Sequence, residues 1–216
     1  MITENGIHSI GVIKTSFIEK KNMKIPIIIY TIIQKAINCF KYLLLNESEE
    51  LRTKVMDDLD PDVIHISWYQ SIYIKKYQWD CMAVAIYYGN VEIIKILEES
   101  GIEKGENPAH IEAAILSYRN QIAKAIINQM KEKNEQYDHE FLIRGLLAST
   151  INNNIKGAEI IFNSGIDVNI ESHVSLPLPK HGKKTLLHYA VENNSKDIVK
   201  ILLSKGADMI GFDSIV

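Results

Sequence analysis

Cysteine is almost missing from this chain. Its two cysteines, Cys39 and Cys81, lack metal-ligand spacing, which excludes a disulfide framework and points to a reducing, cytoplasmic setting. Both fall inside helical patterns, where buried apolar filler is the expected role. Basic excess is missing as well. The 24 Lys and Arg residues against 27 Asp and Glu leave a net charge of -3, which is not the basic footprint of a nucleic-acid binder. The apolar run Ile25 to Ile33 is nine residues and includes Pro26, whereas a membrane span needs about 20, so no membrane insertion is expected. The N-terminus shows none of the marks of a secretory signal. Catalytic signatures are absent too: there is no Gly-x-Ser-x-Gly elbow, no phosphate-cradling glycine loop and no His-Glu-x-x-His, and the seven histidines are dispersed. The expectation is a protein without enzymatic activity, metal, cofactor or small-molecule substrate.

What the chain does have is recurrence. Thr185-Leu186-Leu187-His188-Tyr189-Ala190 is followed by Ile198-Val199-Lys200-Ile201-Leu202-Leu203 and then Gly206-Ala207-Asp208. Thr185 can cap a first helix, and small Ala190 permits close approach of a neighbour. Ile198, Val199, Leu202 and Leu203 are spaced as one buried face of a second helix, and Gly206 can supply the left-handed residue that ends it. The same order of marks recurs from Asp80 through Ala85, Ile93, Ile94 and Leu97 to Gly101. It recurs again from Arg144-Gly145-Leu146-Leu147 through Ile160-Ile161-Phe162 to Gly165-Ile166-Asp167-Val168-Asn169. A weaker copy runs from Ala109 to Met130, with Ala114 as its small residue and Ile122, Ala123, Ile126 and Ile127 as its second face. A fifth runs from Ile25 to Glu47 around Phe40-Lys41-Tyr42-Leu43-Leu44.

The last of these units resembles an ankyrin repeat. The register of the others, with Asp80 to Gly101 and Asn107-Pro108-Ala109-His110-Ile111-Glu112-Ala113-Ala114, makes the chain similar to the divergent ankyrin-repeat proteins abundant in parasitic protists. The resemblance implies an all-α solenoid of about five stacked helix-turn-helix units in a single domain. It also implies that His188 hydrogen-bonds across the turns joining units. The markers Glu47, Gly101, Met130, Gly165 and Gly206 are 54, 29, 35 and 41 residues apart, against about 33 in a standard unit. The expected organisation is a capping helix within 1–24, units at 25–47, 80–102, 109–130, 141–169 and 182–210, and insertions at 48–79 and 171–181. The cap rests on the apolar stripe Ile10, Ile13, Phe17 and Ile18. After Asp208 no polar terminal unit follows, so either Ile210, Phe212, Ile215 and Val216 fold back over the last helix pair or the array continues.

An ankyrin array implies a protein-protein interaction module that binds another protein through its groove and loops. A structural spacer within a longer array is the alternative, and a nucleic-acid binder stands behind both. Trp68, Tyr69, Tyr73, Tyr77 and Trp79 cluster in and beside the first insertion. Their i, i+4 spacing reads as an inward-packing helix, while their aromatic character suits a binding hot spot. Trp68 and Trp79 are the candidates, Trp79 foremost because it precedes a first helix where a loop would project. Lys180, Lys183 and Lys184 make the second insertion basic, suited to an acidic partner surface. Tyr87 and Tyr88, and correspondingly Glu192 and Asn193, fall late in first helices, which by resemblance line the groove; Tyr189 completes the candidates.

Overall fold

The structure, a computed structural model, describes residues 27–46, 79–132, 139–169 and 185–209. The proposed capping helix, the first insertion with Trp68, the loop lysines Lys180, Lys183 and Lys184, and the tail from Ile210 lie outside the described residues. Among those described, every regular element is an α-helix. The chain divides into two compact units, residues 1–103 and 104–216.

In the first unit, α1 (Ile27–Ile33) and α2 (Ile37–Asn46) form one antiparallel pair, and α3 (Cys81–Tyr88) and α4 (Val91–Glu99) form the next. α3 lies on α1, and α4 lies on α2. In the second unit the pairs are α5 (Pro108–Leu116) with α6 (Asn120–Glu132), α7 (His139–Asn152) with α8 (Ile155–Phe162), and α9 (Leu186–Glu192) with α10 (Lys196–Ser204). Here the first helices stack in the order α5, α7, α9, and the second helices in the order α6, α8, α10.

This layering explains composition element by element. A first helix flanked on several sides is covered all round and mostly apolar, and Ala109 to Leu116 of α5 are all buried, the polar His110 and Glu112 among them. Second helices face solvent on one side, so their core is a stripe: Ile93, Ile94 and Leu97 in α4, and Ala123, Ile126, Ile127 and Met130 in α6. In α10 the expected stripe is only half realised. Ile198 and Leu202 are buried, but Leu203 is 40% exposed.

The turn inside each pair is set by one left-handed residue: Lys35, Gly89, Tyr118, Asn153 and Asn194. These five are 54, 29, 35 and 41 residues apart, the same series as the sequence markers, so each can serve as the zero of its unit's numbering. The glycines Gly101, Gly165 and Gly206 that follow the second helices also have positive φ, with open space where a Cβ would stand. Caps close the helix starts. Asp80 accepts from the N-H of Ala83 at 2.8 Å, Asn107 from Ala109 at 2.8 Å, and Asn154 from Gly157 at 3.0 Å. At Thr185 the backbone N-H donates to Nδ1 of His188 at 3.1 Å, and the Thr185 hydroxyl lies 2.8 Å from the same nitrogen. Accepting at Nδ1 places the neutral ring's proton on Nε2. His188 is thus bonded within its own cap, a correction to the expectation that it bridges units.

The bonds between units come instead from second-helix caps and turn residues. Asn154 Nδ2 donates to the Ile115 carbonyl at 2.9 Å, and Ser195 Oγ donates to the Thr150 carbonyl. Asn169 grips the following unit twice, donating to the Gly206 carbonyl at 3.1 Å and accepting from the Asp208 N-H at 2.8 Å. Between α5 and α7 a buried ion pair joins Arg144 to Glu112 at 2.8 Å.

Cys81 is buried as expected, but Cys39 is exposed. Four residues after the left-handed turn, Cys39 occupies the position of Ile93, Gly157 and Ile198 in other pairs. A Cβ on Gly157 would come 2.8 Å from Ile115, so that position faces the preceding helix pair. No described helix precedes α1.

Candidate partner-binding surface

The late residues of the first helices, two and one before the left-handed residue, form corresponding pairs: Tyr87 and Tyr88, Leu116 and Ser117, Ile151 and Asn152, Glu192 and Asn193. Glu192 is exposed and Asn193 half-buried. Asn193 is held by its own helix, donating from Nδ2 to the Tyr189 carbonyl at 2.8 Å.

In the first unit, Trp79, Tyr87 and Tyr88 come together. The Trp79 and Tyr87 ring centroids are 5.4 Å apart, tilted at 59°, and Tyr87 meets Tyr88 edge-on at 5.5 Å. Trp79 does not project toward a partner. It is fully buried, because an indole beside the start of α3 removes more apolar area from water inside than outside. This corrects its leading place among the candidates. Tyr87 and Tyr88 are half-buried. Burial raises both phenol pKa values, and that of Tyr88, with Tyr87 adding to it, is pushed up to about 12. The Tyr88 hydroxyl and Trp79 Nε1 meet no partner among the described residues.

Tyr189 is also buried, on the α9 helix that rests against α7, so it supports stacking and offers no contact surface. Its register matches Ala148 and Ala113, both core residues.

The structure adds a residue that sequence reasoning passed over. Tyr118 occupies a left-handed turn, φ 57°, where the corresponding residues are Lys35, Gly89, Asn153 and Asn194. A bulky side chain in that conformation costs about 1–2 kcal/mol relative to glycine. Tyr118 is nevertheless 57% exposed, so packing does not offset the strain. Its hydroxyl donates to the Asn152 carbonyl, and Asn152 Nδ2 in turn donates to the Leu116 carbonyl at 2.6 Å. The aromatic face is therefore fixed before anything binds. The available signal was positional: Tyr118 stands where small or flexible residues stand in the other units.

No group of His, Cys, Asp or Glu able to hold a metal occurs among the described residues, and no described helix is long and apolar enough to cross a membrane. Residues 111–213 match the family model for ankyrin repeats, in three copies. No curated protein sequence matches the chain.

Proposed function

From the premise that residues 111–213 are ankyrin repeats, we propose that this chain is a non-catalytic protein-binding module whose contact surface in the second unit centres on Tyr118. Ankyrin repeats are generally protein-protein interaction modules. The observation that carries the reading here is Tyr118: an exposed aromatic, held in an unfavourable backbone conformation and tied by its hydroxyl to the next helix pair. The hydroxyl bond to Asn152 holds the residue in place, but the exposed ring gains no burial to offset the strain, and strain of that kind clusters at functional positions. Aromatic side chains in fixed positions lose little entropy on binding, so they serve as anchors.

Glu192, Asn152 and Asn193 extend this surface along corresponding positions of α7 and α9, and supply polar contacts beside the anchor. Tyr87 and Tyr88 offer the corresponding surface of the first unit. The loop lysines Lys180, Lys183 and Lys184 remain candidates for an acidic partner surface.

The test separates binding from folding. Replacing Tyr118 with Asn relieves the left-handed strain and removes the anchor together. A thermal melt of Tyr118→Asn should match or exceed that of the parent, while affinity capture from native extract should lose a protein that the parent retains. Equal capture by both, with the melt unchanged, would remove Tyr118 from the contact surface.

A further inference from the structure

Tyr118 breaks one local rule, and Arg119 after it breaks another. One residue past the left-handed turn, other pairs carry Asn90, Asn154 and Ser195. Asn90 and Asn154 cap their second helices from that position, while Asn154 and Ser195 bond the carbonyls of Ile115 and Thr150. A guanidinium has donors and no acceptor, so the Arg119 side chain cannot cap α6. Its Nε is buried without an acceptor, and the side chain makes no hydrogen bond or ion pair among the described residues. Tyr118-Arg119 thus gives up backbone ease at one residue and a cap at the next. Local rules broken without a compensating contact mark functional positions.

The three turns of the second unit lie side by side. The Tyr118 hydroxyl reaches the Asn152 carbonyl, the side chains of Asn120 and Asn154 bond each other at 2.9 Å, and Ser195 reaches Thr150. Lys156 and Lys196 stand at the starts of α8 and α10, exposed and without an ion pair among the described residues. Two carboxylates share this edge, and both are engaged. Asp197 is held by Lys200 at 3.3 Å and by Asn153, and Glu192 also has a partner. Glu159 lies a turn further along α8. The unengaged charge at the turns is therefore positive, in a chain whose net charge is -3. With the Tyr118 hydroxyl occupied, the exposed ring offers an apolar face beside that charge.

Building on the reading that Tyr118 anchors a protein partner, we propose that the segment it binds is an acidic peptide. A carboxylate of that segment seats on the Arg119 guanidinium, and an apolar side chain next to it lies on the Tyr118 ring. Further carboxylates meet Lys156 and Lys196. The planar fork of arginine matches a carboxylate in two-pronged geometry. Packed helices lie about 8–10 Å apart, a distance that an extended chain covers in about three residues, so the acidic residues of the partner fall about three apart. Glu192 and Asp197 on the same edge repel an unbroken run of phosphates, which selects spaced carboxylates over a nucleic acid.

The test is a selection of short random peptides, displayed as a library, on the full chain, with Tyr118→Asn and Arg119→Gln chains alongside. Peptides enriched by the parent should carry Asp or Glu at intervals of about three, beside an apolar residue. A synthetic peptide of the selected sequence should bind Arg119→Gln about tenfold more weakly in fluorescence anisotropy, although that chain melts like the parent. Its affinity should fall as salt rises from about 0.05 to 0.5 M. Arg119→Glu should select basic peptides instead. Peptides that need Tyr118 yet carry no acidic residue, or that bind Arg119→Gln as tightly, overturn the acidic partner and leave the Tyr118 surface standing. Peptides that bind Tyr118→Asn equally, or no enrichment at all, overturn both. Displacement of the peptide by a DNA oligonucleotide would assign the edge to phosphate and overturn the choice of occupant.

Discussion

Glu112 and Arg144 form a buried ion pair, each side chain less than 5% exposed. Numbered from the left-handed turn, Glu112 holds the position of His188 and Arg144 that of Thr185. Those two positions bond to each other inside the last unit, through Thr185 and His188, whereas Glu112 and Arg144 use them to join consecutive helix pairs. Removing one partner strands a buried charge, so Glu112→Ala should lose about 3–5 kcal/mol in urea unfolding. The apolar double replacement Glu112→Leu with Arg144→Met should recover most of that loss. A single substitution costing under ~1 kcal/mol would mean that water reaches the site. Tyr88 gives a second prediction. Its folded pKa is raised to about 12 by burial and by Tyr87, above an unfolded value of about 10, so the unfolded state releases its proton first. Stability is then complete below pH 10 and falls as pH rises through 12. Tyr88→Phe should flatten that alkaline loss. It should also leave neutral stability unchanged or slightly higher, since it deletes a buried hydroxyl without a partner.

Helix packing shows which small residues are obligatory. A Cβ on Gly145 of α7 would stand 2.5 Å from Ile161 and 3.5 Å from Ile111, so α7 is pressed between its own second helix and α5. Gly145→Ala should therefore cost about 1–3 kcal/mol despite the better helix propensity of alanine. A chemical melt that shows stabilisation would mean that Ile161 can turn aside. Asn154 does three tasks, capping α8, bonding the Ile115 carbonyl of α5 and bonding the Asn120 side chain of α6, and Asn154→Ala should lose about 2 kcal/mol. Its counterpart Asn90 caps α4 at 3.2 Å, but its Nδ2 meets no acceptor among the described residues. Asn90→Ala should cost less than Asn154→Ala in the same melts, and the difference reports the bonds of Asn154 to Ile115 and Asn120 of the preceding pair.

For the molecule as a whole, charge and stacking bound what can bind. A net charge of -3 gives the chain no overall basic excess of the kind that makes nucleic-acid affinity fall steeply with salt. No RNA or DNA binding is expected at about 0.15 M salt, where the counter-ion screening length is about 8 Å. A steep log-log dependence of affinity on salt would reverse that expectation. Within the second unit, repeated interfaces between successive helix pairs account for the burial of the middle pair and for the openness of the last. Most of this architecture was legible beforehand. The marker intervals matched the turn intervals because a left-handed residue, a cap and an apolar period are local demands that each segment states for itself. The candidate surface was less legible. Trp79 and Tyr189 are aromatic and were read as contacts, yet both are buried, and Tyr118 was overlooked.

Sequence alone determined the helix pairs, their order, the left-handed glycines after the second helices and the ankyrin character of residues 111–213, because these follow from neighbours within a few turns. Only the tertiary structure decided that Trp79 is core, that Tyr118 stands out, that Glu112 finds Arg144, and that Leu203 is open where Phe162 is covered. The physical reason is that burial belongs to a position in the stack. The same apolar residue, at the same place in its unit, is core or surface according to whether another helix pair lies on it.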